Sequence, residues 1–351
     1  MLRSFWRHFA GSILIALAGL GLAAVYGWHD TGSVEATVAM LWVVAVLAVL
    51  EISLSFDNAV VNAAVLTQME PVWQKRFLTW GMVIAVFGVR IVLPLVIVAL
   101  TAGIGPVDAV RLSLTDPARY EAIVSHAHIA IAGFGGAFLV LVGLGFFIDS
   151  EKDVHWLGWA ERRLQRFASI KTGAVALLLA ALLLVAHSLP APEALQFLMA
   201  GLIGVIAFIA VEALGSAMNN YEARRAVTGA VVRAGLGAFL YLNVLDMSFS
   251  LDGVIGAFAL TRNMVIIAIG LSIGAVFVRS LTMLMVRKGT LAEYRYLEHG
   301  AFWAIAALGV IMLVSARAEV PETVTGLIGA VLIGAALWSS TRNTQAGPLQ
   351  Q

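Results

Sequence analysis

Glu51-Ile52-Ser53-Leu54-Ser55-Phe56-Asp57-Asn58 sits within an apolar run from 37 to 66. A second such run, from 228 to 260, holds Asp246-Met247-Ser248-Phe249-Ser250-Leu251-Asp252-Gly253. Acidic residue, serine, serine and aspartate recur at the same spacing, offset by 195 residues. Each copy precedes an apolar run in which a glycine is followed nine positions on by an arginine: Gly81 and Arg90, then Gly270 and Arg279. A third run, rich in glycine and alanine, follows in each half, entered by His126 and His128 or by His299. The chain thus carries two copies of a three-segment unit, and the nature of those segments decides the fold class.

A bilayer core takes about 20 apolar residues per helix. Ten runs of that kind are present, at roughly 11–27, 37–66, 78–102, 129–148, 171–188, 195–217, 228–260, 263–286, 299–316 and 322–340. They are continuous rather than alternating with a period of two, which favours helices over a membrane β-barrel. Composition agrees. Of 351 residues, 61% are hydrophobic and 12% charged, with a mean hydropathy of +0.93, against about 45–50% and about 25% in soluble domains. A soluble globular enzyme, a disordered chain and a nucleic-acid binder are excluded on that ground. There is no cysteine, so disulfides, thiolate metal sites and cysteine nucleophiles are excluded as well. The expected fold class is all-α: a polytopic membrane helical bundle of about 10 transmembrane helices.

The basic residues orient the runs. With the N-terminus inside, 15 of the 22 lysines and arginines fall on cytoplasmic segments, including Lys75, Arg76, Lys152, Arg162, Arg163, Arg287 and Lys288. Only Arg111, Arg119, Arg262 and Arg317 fall outside, and Arg90, Arg233 and Arg279 lie within spans. This is the distribution the positive-inside rule requires. Both termini are therefore expected in the cytoplasm, with the chain in a bacterial inner (plasma) membrane. Arg3 and Arg7 before the first run resemble a signal peptide, but the run is long for a cleaved one and reads as an uncleaved anchor. The motif runs are the second and the seventh, so they cross in opposite directions. That is an inverted-topology repeat with a 3+3 core, an arrangement used by transporters with the site near the midplane. The order read from the sequence is an N-terminal anchor helix and outer loop (1–36), repeat 1 of the transport core (37–148), an amphipathic connector with two linking helices (149–227), repeat 2 (228–316), and a final helix with a cytoplasmic tail (317–351). Within 149–170, Trp156, Trp159, Leu164 and Phe167 interleave with Glu161, Arg162, Arg163 and Arg166. This suits either a short amphipathic helix on an anionic membrane surface or an ordinary charged connector.

A charged side chain at the centre of a membrane helix costs about 2.5–3.5 kcal/mol on insertion scales. Glu51, Asp57, Asp246, Asp252, Arg90 and Arg279 all fall near span centres and must be paired, hydrated or ligating something. Glu51, Ser55, Asn58 and Asn62 form one helical stripe, as do Asn243, Asp246, Ser250 and Gly253. For Asp57 and Asp252 to join the same stripes, the helices must unwind near Ser55–Asp57 and Ser250–Asp252. The resulting donors are carboxylates, amides, hydroxyls and carbonyls, the oxygen ligands that suit Mn, Ca or Mg. Met247 adds at most a soft contact and reads as packing. The arginines would neutralise an empty site or reach backbone carbonyls. The same set also reads as a structural ion-pair network, or as a proton relay without metal. His126, His128 and His299 stand at helix entrances, and Glu212 with Asn219 and Asn220 toward the end of the sixth run. Runs such as Gly133-Phe134-Gly135-Gly136 read as helix-packing surfaces. No nucleotide loop, nucleophile elbow or zincin helix is present, so an enzyme is not expected.

At these residues the chain resembles the TerC family of integral membrane proteins, and within it a bacterial subgroup catalogued as a domain of unknown function, in the LysE-like transporter superfamily. The resemblance rests on Glu51-x-Ser-x-Ser-x-Asp57-Asn58 with Asn62 and on Asp246-Met-Ser-Phe-Ser-Leu-Asp252-Gly253, and spans about 37 to 316. It implies a six-helix inverted repeat, export of metal ions, manganese in particular, and a metal site on Glu51, Asp57, Asn58, Asp246 and Asp252. Ser55, Asn62, Arg90, Ser250 and Arg279 would support that site or balance its charge. In two respects the chain departs from this pattern: the second copy opens with Asp246 and has Gly253 where the first has Asn58, and four extra runs flank the core. The expected activity is transport of a divalent cation, Mn favoured and Ca or Mg next, as substrate, with protons as counter-ions and no required cofactor. The alternatives are a LysE-like exporter of small solutes such as amino acids, and a structural membrane protein with buried ion pairs. The expected partners are the metal ion, protons and the lipid bilayer, with no nucleic acid; a homo-oligomer is compatible with the sequence.

Overall fold

Apolar side chains dictate helix wherever no backbone donor or acceptor can be left to hydrocarbon, and the chain obeys this almost throughout. The structure, a computed structural model, describes residues 2–81, 83–148, 154–168, 171–226, 235–258, 260–318 and 320–345. Arg233, Lys152 and the side chains of Asp252, Asn219 and Asn220 lie outside the described residues. The helices are α1 (Leu2–Thr31), α2 (Val34–Leu54), α3 (Phe56–Gln68), α4 (Pro71–Arg76), α5 (Leu93–Ala102), α6 (Pro106–Thr115), α7 (Pro117–His126), α8 (His128–Ile148), α9 (Gly158–Ala168), α10 (Lys171–His187), α11 (Ala191–Ala226), α12 (Leu236–Ala257), α13 (Met264–Lys288), α14 (Thr290–Glu293), α15 (Leu297–Ser315) and α16 (Glu322–Gln345). Two π-helical segments, Phe77–Gly81 and Ile84–Val92, link α4 to α5. No strand occurs among the described residues. Among the described residues, eight helical stretches are long and apolar enough to cross a bilayer: Phe9–Thr31, Val34–Leu54, Pro71–Leu100, His128–Ile148, Ala191–Leu214, Met264–Lys288, Leu297–Ser315 and Val324–Arg342. Shorter apolar helices, Gly173–His187 and Leu236–Ser248, stand where the fifth and seventh of the ten expected runs fall. The protein is an all-α polytopic helical bundle.

The chain divides into two compact units, and two of the five boundaries between them fall inside the motif copies. Unit 1 comprises Met1–Phe56, Lys75–His128 and Phe249–Leu284; unit 2 comprises Asp57–Gln74, Ile129–Ser248 and Met285–Gln351.

In unit 1, Val44, Leu47 and Ala48 of α2 pack with Ile266, Ile267 and Leu271 of α13 and with Val254 and Phe258. Two glycines of α13 permit this. A β-carbon on Gly270 would stand 2.7 Å from Leu47 Cβ, and one on Gly274 2.5 Å from Glu51 Cβ and 2.8 Å from the Ala48 carbonyl. Gly270-x3-Gly274 is thus a small-residue seam that brings two backbones together. The second π segment runs directly into Pro94, which has no N–H to donate to the preceding turn, and the Leu93 N–H reaches back five residues to Gly88 O. Residues 103–128, between the third and fourth apolar runs, hold two ten-residue helices. Gly103 closes α5 in the left-handed conformation (φ 64°), Pro106 opens α6, and Asp116 Oδ1 caps α7 by accepting Arg119 N at 3.1 Å.

In unit 2, α8 is the central helix. Ala137, Val140 and Leu141 pack with Leu178 and Leu182 of α10, Phe197 and Val205 of α11, and Leu313 of α15. Gly133 lies against the Phe197 carbonyl of α11, and Gly136 against Gly309 O and Leu313 of α15. These glycines act as helix-packing surfaces, as their sequence context indicates. Gly300 of α15 lies against Leu332 O and Ala336 of α16 in the same way. The 149–170 connector contains the helix α9.

Candidate functional site

The first motif copy bends where its serines and aspartate stand. α2 ends at Leu54, Ser55 adopts a turn conformation (φ −97°, ψ 18°), and α3 restarts at Phe56. The unwinding anticipated near Ser55–Asp57 is therefore present. In the second copy it is absent: α12 runs unbroken from Leu236 through Ser250 to Ala257. Inside α12, Asn243 Nδ2 donates to Phe239 O at 2.7 Å and Ser248 Oγ to Val244 O at 3.0 Å, so these polar side chains spend their bonds on the preceding turn and leave the ladder intact.

In unit 1 the site is built around Glu51, which is only 4% exposed. Ser55 Oγ donates to its Oε1 at 2.9 Å. Arg90 Nη2 donates to the same oxygen, forming a buried ion pair. Arg90 Nη1 donates to Ala85 O at 2.7 Å, five residues back, a reach suited to the wider π turn. Arg90 therefore does both things expected of it: it neutralises a carboxylate and it binds a backbone carbonyl. A β-carbon on Gly253 of α12 would stand 3.4 Å from Glu51 Oε2, so the residue that replaces asparagine in the second copy brings the α12 backbone close to that carboxylate. Ser250 is buried in the same unit, and its Oγ has no hydrogen-bond partner. Arg279 lies on α13 and is half-buried.

In unit 2 the site is built on α3 and α12. Asp57 falls in the first turn of α3, where the helix dipole favours a carboxylate, and its Oδ1 accepts Asn58 N at 2.8 Å. A β-carbon on Gly329 of α16 would lie 3.9 Å from Asp57 Oδ2. Asn58 Nδ2 donates to Asp246 Oδ1 at 2.5 Å, which joins residues 188 apart in sequence and links the first motif copy to the second. Asn62 is buried one helical turn on. The Oδ1 atoms of Asn58 and Asn62 are buried with no hydrogen-bond partner among the described residues. Of the ten residues singled out in the sequence, the structure thus groups Glu51 with Ser55 and Arg90, and Asn58 with Asp57 and Asp246. Among the described residues, no group of three or more His, Asp or Glu side chains is arranged so as to hold a metal ion. A cation at Asp57 and Asp246 would therefore draw its further ligands from amide, hydroxyl or carbonyl oxygens.

A third buried carboxylate, Glu161 of α9, was not singled out in the sequence. Its oxygens accept Trp156 N at 3.2 Å, Leu157 N at 3.0 Å and Trp303 Nε1 at 3.3 Å. His155 Nδ1 lies 3.3 Å and His299 Nε2 3.9 Å from Oε2. His299 also bonds Val154 O at 2.8 Å. This cluster fastens the connector to α15 and gives His299 a structural task. His126 is exposed at the end of α7, and Glu212 is exposed on α11.

Residues 56–346 match the family described as "Protein of unknown function (DUF475)", and the chain belongs to that family. No curated protein matches the chain. No solved structure matches it either.

Proposed function

For this member of the DUF475 family we propose a role as a membrane transporter that exports divalent metal ions, manganese favoured, by rocking two inverted repeats around a carboxylate site. The observation that carries the reading is the oxygen-rich set on α3 and α12: Asp57, Asn58 and Asn62, buried, with Asp246, and two amide oxygens without donors. A buried acceptor left unsatisfied costs about 1–3 kcal/mol, and a hard cation relieves that cost while offsetting the carboxylates. The break at Ser55 adds support, because discontinuous membrane helices are where transporters coordinate ions. So does the resemblance of the two motif copies to the TerC family. The charge asymmetry of the loops supports both termini in the cytoplasm, and the resemblance to a bacterial subgroup of the TerC family supports a bacterial inner-membrane location. Protons would exchange for metal on the carboxylates and flow inward as metal leaves.

The Glu51–Arg90 pair favours a second reading, in which the buried charges only lock helices together. A thermal-shift panel of Mn, Ca, Mg, Zn and amino acids on the purified full chain and on Asp57→Asn separates the two. Selective binding to the folded state raises Tm with ligand concentration. The transporter reading expects Mn to raise the Tm of the wild type and to do so less in Asp57→Asn. If no divalent ion moves the wild type and Asp57→Asn merely melts lower, the ion-pair reading stands; a shift with amino acids alone assigns the protein to small-solute carriers.

A further inference from the structure

Within unit 1, helices α1, α5, α6 and α13 line an open apolar cavity of about 670 Å3. Leu22 and Val25 of α1, Leu95 of α5, Val110 and Leu114 of α6, and Ile269 of α13 form most of its wall. Polar groups gather at one end. There Tyr26 and His29 line it, and Asn263 Nδ2 donates to Tyr26 Oη at 3.0 Å. Asn263 Oδ1 is engaged as the cap of α13, accepting Val265 N at 3.0 Å and Ile266 N at 3.3 Å. Its neighbour Arg262, paired with Glu121 at 2.5 Å, is 65% exposed and puts a cation at the same end.

We propose that this cavity holds one acyl chain of a bilayer glycerophospholipid, with the phosphate headgroup at the His29–Arg262 end. α1 and α13 are both long and apolar enough to cross the membrane. The cavity continues the bare apolar face of α1, where Leu14, Leu17, Leu22 and Val25 are exposed, so hydrocarbon is the medium that reaches it. From Leu22 to His29 the α1 wall is seven residues, about 10 Å of helix, apolar at depth and polar at the mouth. That is the profile of an amphiphile entering chain-first. α6 repeats it: Val107, Val110 and Leu114 are exposed on one side, with Asp108 and Arg111 elsewhere on the helix, the pattern of a helix resting in the interface. The wall is apolar apart from Tyr26, His29 and Ser113, whose hydroxyl donates to Val110 O at 2.8 Å, and a soluble partner cannot approach through lipid.

The test uses the full chain in vesicles containing a phospholipid with a photoreactive acyl chain, and maps the adducts by mass spectrometry. Adducts are expected to concentrate on peptides holding 22–29, 110–114 and 264–269. Ala268→Trp, which fills the cavity from α13, and Val110→Trp, which fills it from α6, are each expected to abolish that enrichment while labelling elsewhere on the surface is unchanged. Even labelling over the lipid-facing surface overturns the proposal, as does enrichment that both variants leave intact. Labelling of these peptides by a photoreactive free fatty acid but not by the phospholipid also overturns it, as does cross-linking to a second copy of the chain.

Discussion

Ser55 interrupts the helix that carries the first motif copy, whereas its counterpart Ser250 lies inside an unbroken one. Their surroundings explain the difference. Ser55 has a long carboxylate one turn back, and Glu51 Oε1 accepts both the serine and Arg90. At the matched place the second copy has Asp246, shorter by one methylene, and its carboxylate meets Asn58 of the first copy instead. The downstream partners differ as well. Arg90 rides on π turns that lead into Pro94, while Arg279 rides on a regular α13 with no proline. The glycines ahead of the arginines differ too: Gly270 seats one helix backbone on another, and Gly81 lies against the ring of Phe77 on its own segment. A repeated motif can therefore keep its spacing and take two different backbones, because the length of its acidic residue and the partners that each copy meets decide how it is bonded.

The largest expected difference lies in the arginines. Arg90→Met leaves Glu51 buried without its counter-ion and is expected to cost about 3–5 kcal/mol. Arg279→Met, at a half-buried position, is expected to cost clearly less. Denaturant or thermal unfolding of the two variants side by side checks this, and equal losses would break the contrast between the copies. A smaller difference is expected from the serines. Ser55→Ala removes a donor to a carboxylate and should lower stability by about 1.5–3 kcal/mol. Ser250→Ala removes a hydroxyl with no partner and should leave stability unchanged or slightly raised. A Ser250→Ala variant that melts as low as Ser55→Ala would show that the second copy is bonded like the first.

Much of this architecture is legible in the sequence, because hydrocarbon leaves the backbone few options. The apolar runs mark the helices, and the serines beside Asp57 mark the break. The same letters wrongly suggest a break at Ser250–Asp252, since nothing local distinguishes a serine that ends a helix from one that bonds back into it. The helices inside 103–128 had signals in Pro106 and in Asp116-Pro117, which the polar composition of the segment obscured. The π turns had only Pro94. Glu161 was illegible as a hub because Trp303 and His299 reach it from far along the chain. The pairing of Asn58 with Asp246 was legible only as two residues of a common site; which atoms meet depends on side-chain lengths that a motif does not encode.

The central claim concerns the oxygen set on α3 and α12, and flux tests it most directly. The purified chain reconstituted in proteoliposomes with an imposed pH gradient is expected to move Mn against proton flow, with Asp57→Asn reducing that flux toward the level of empty vesicles. Manganese and proton movements that match empty vesicles for the wild type, or a flux that Asp57→Asn leaves intact, would contradict it.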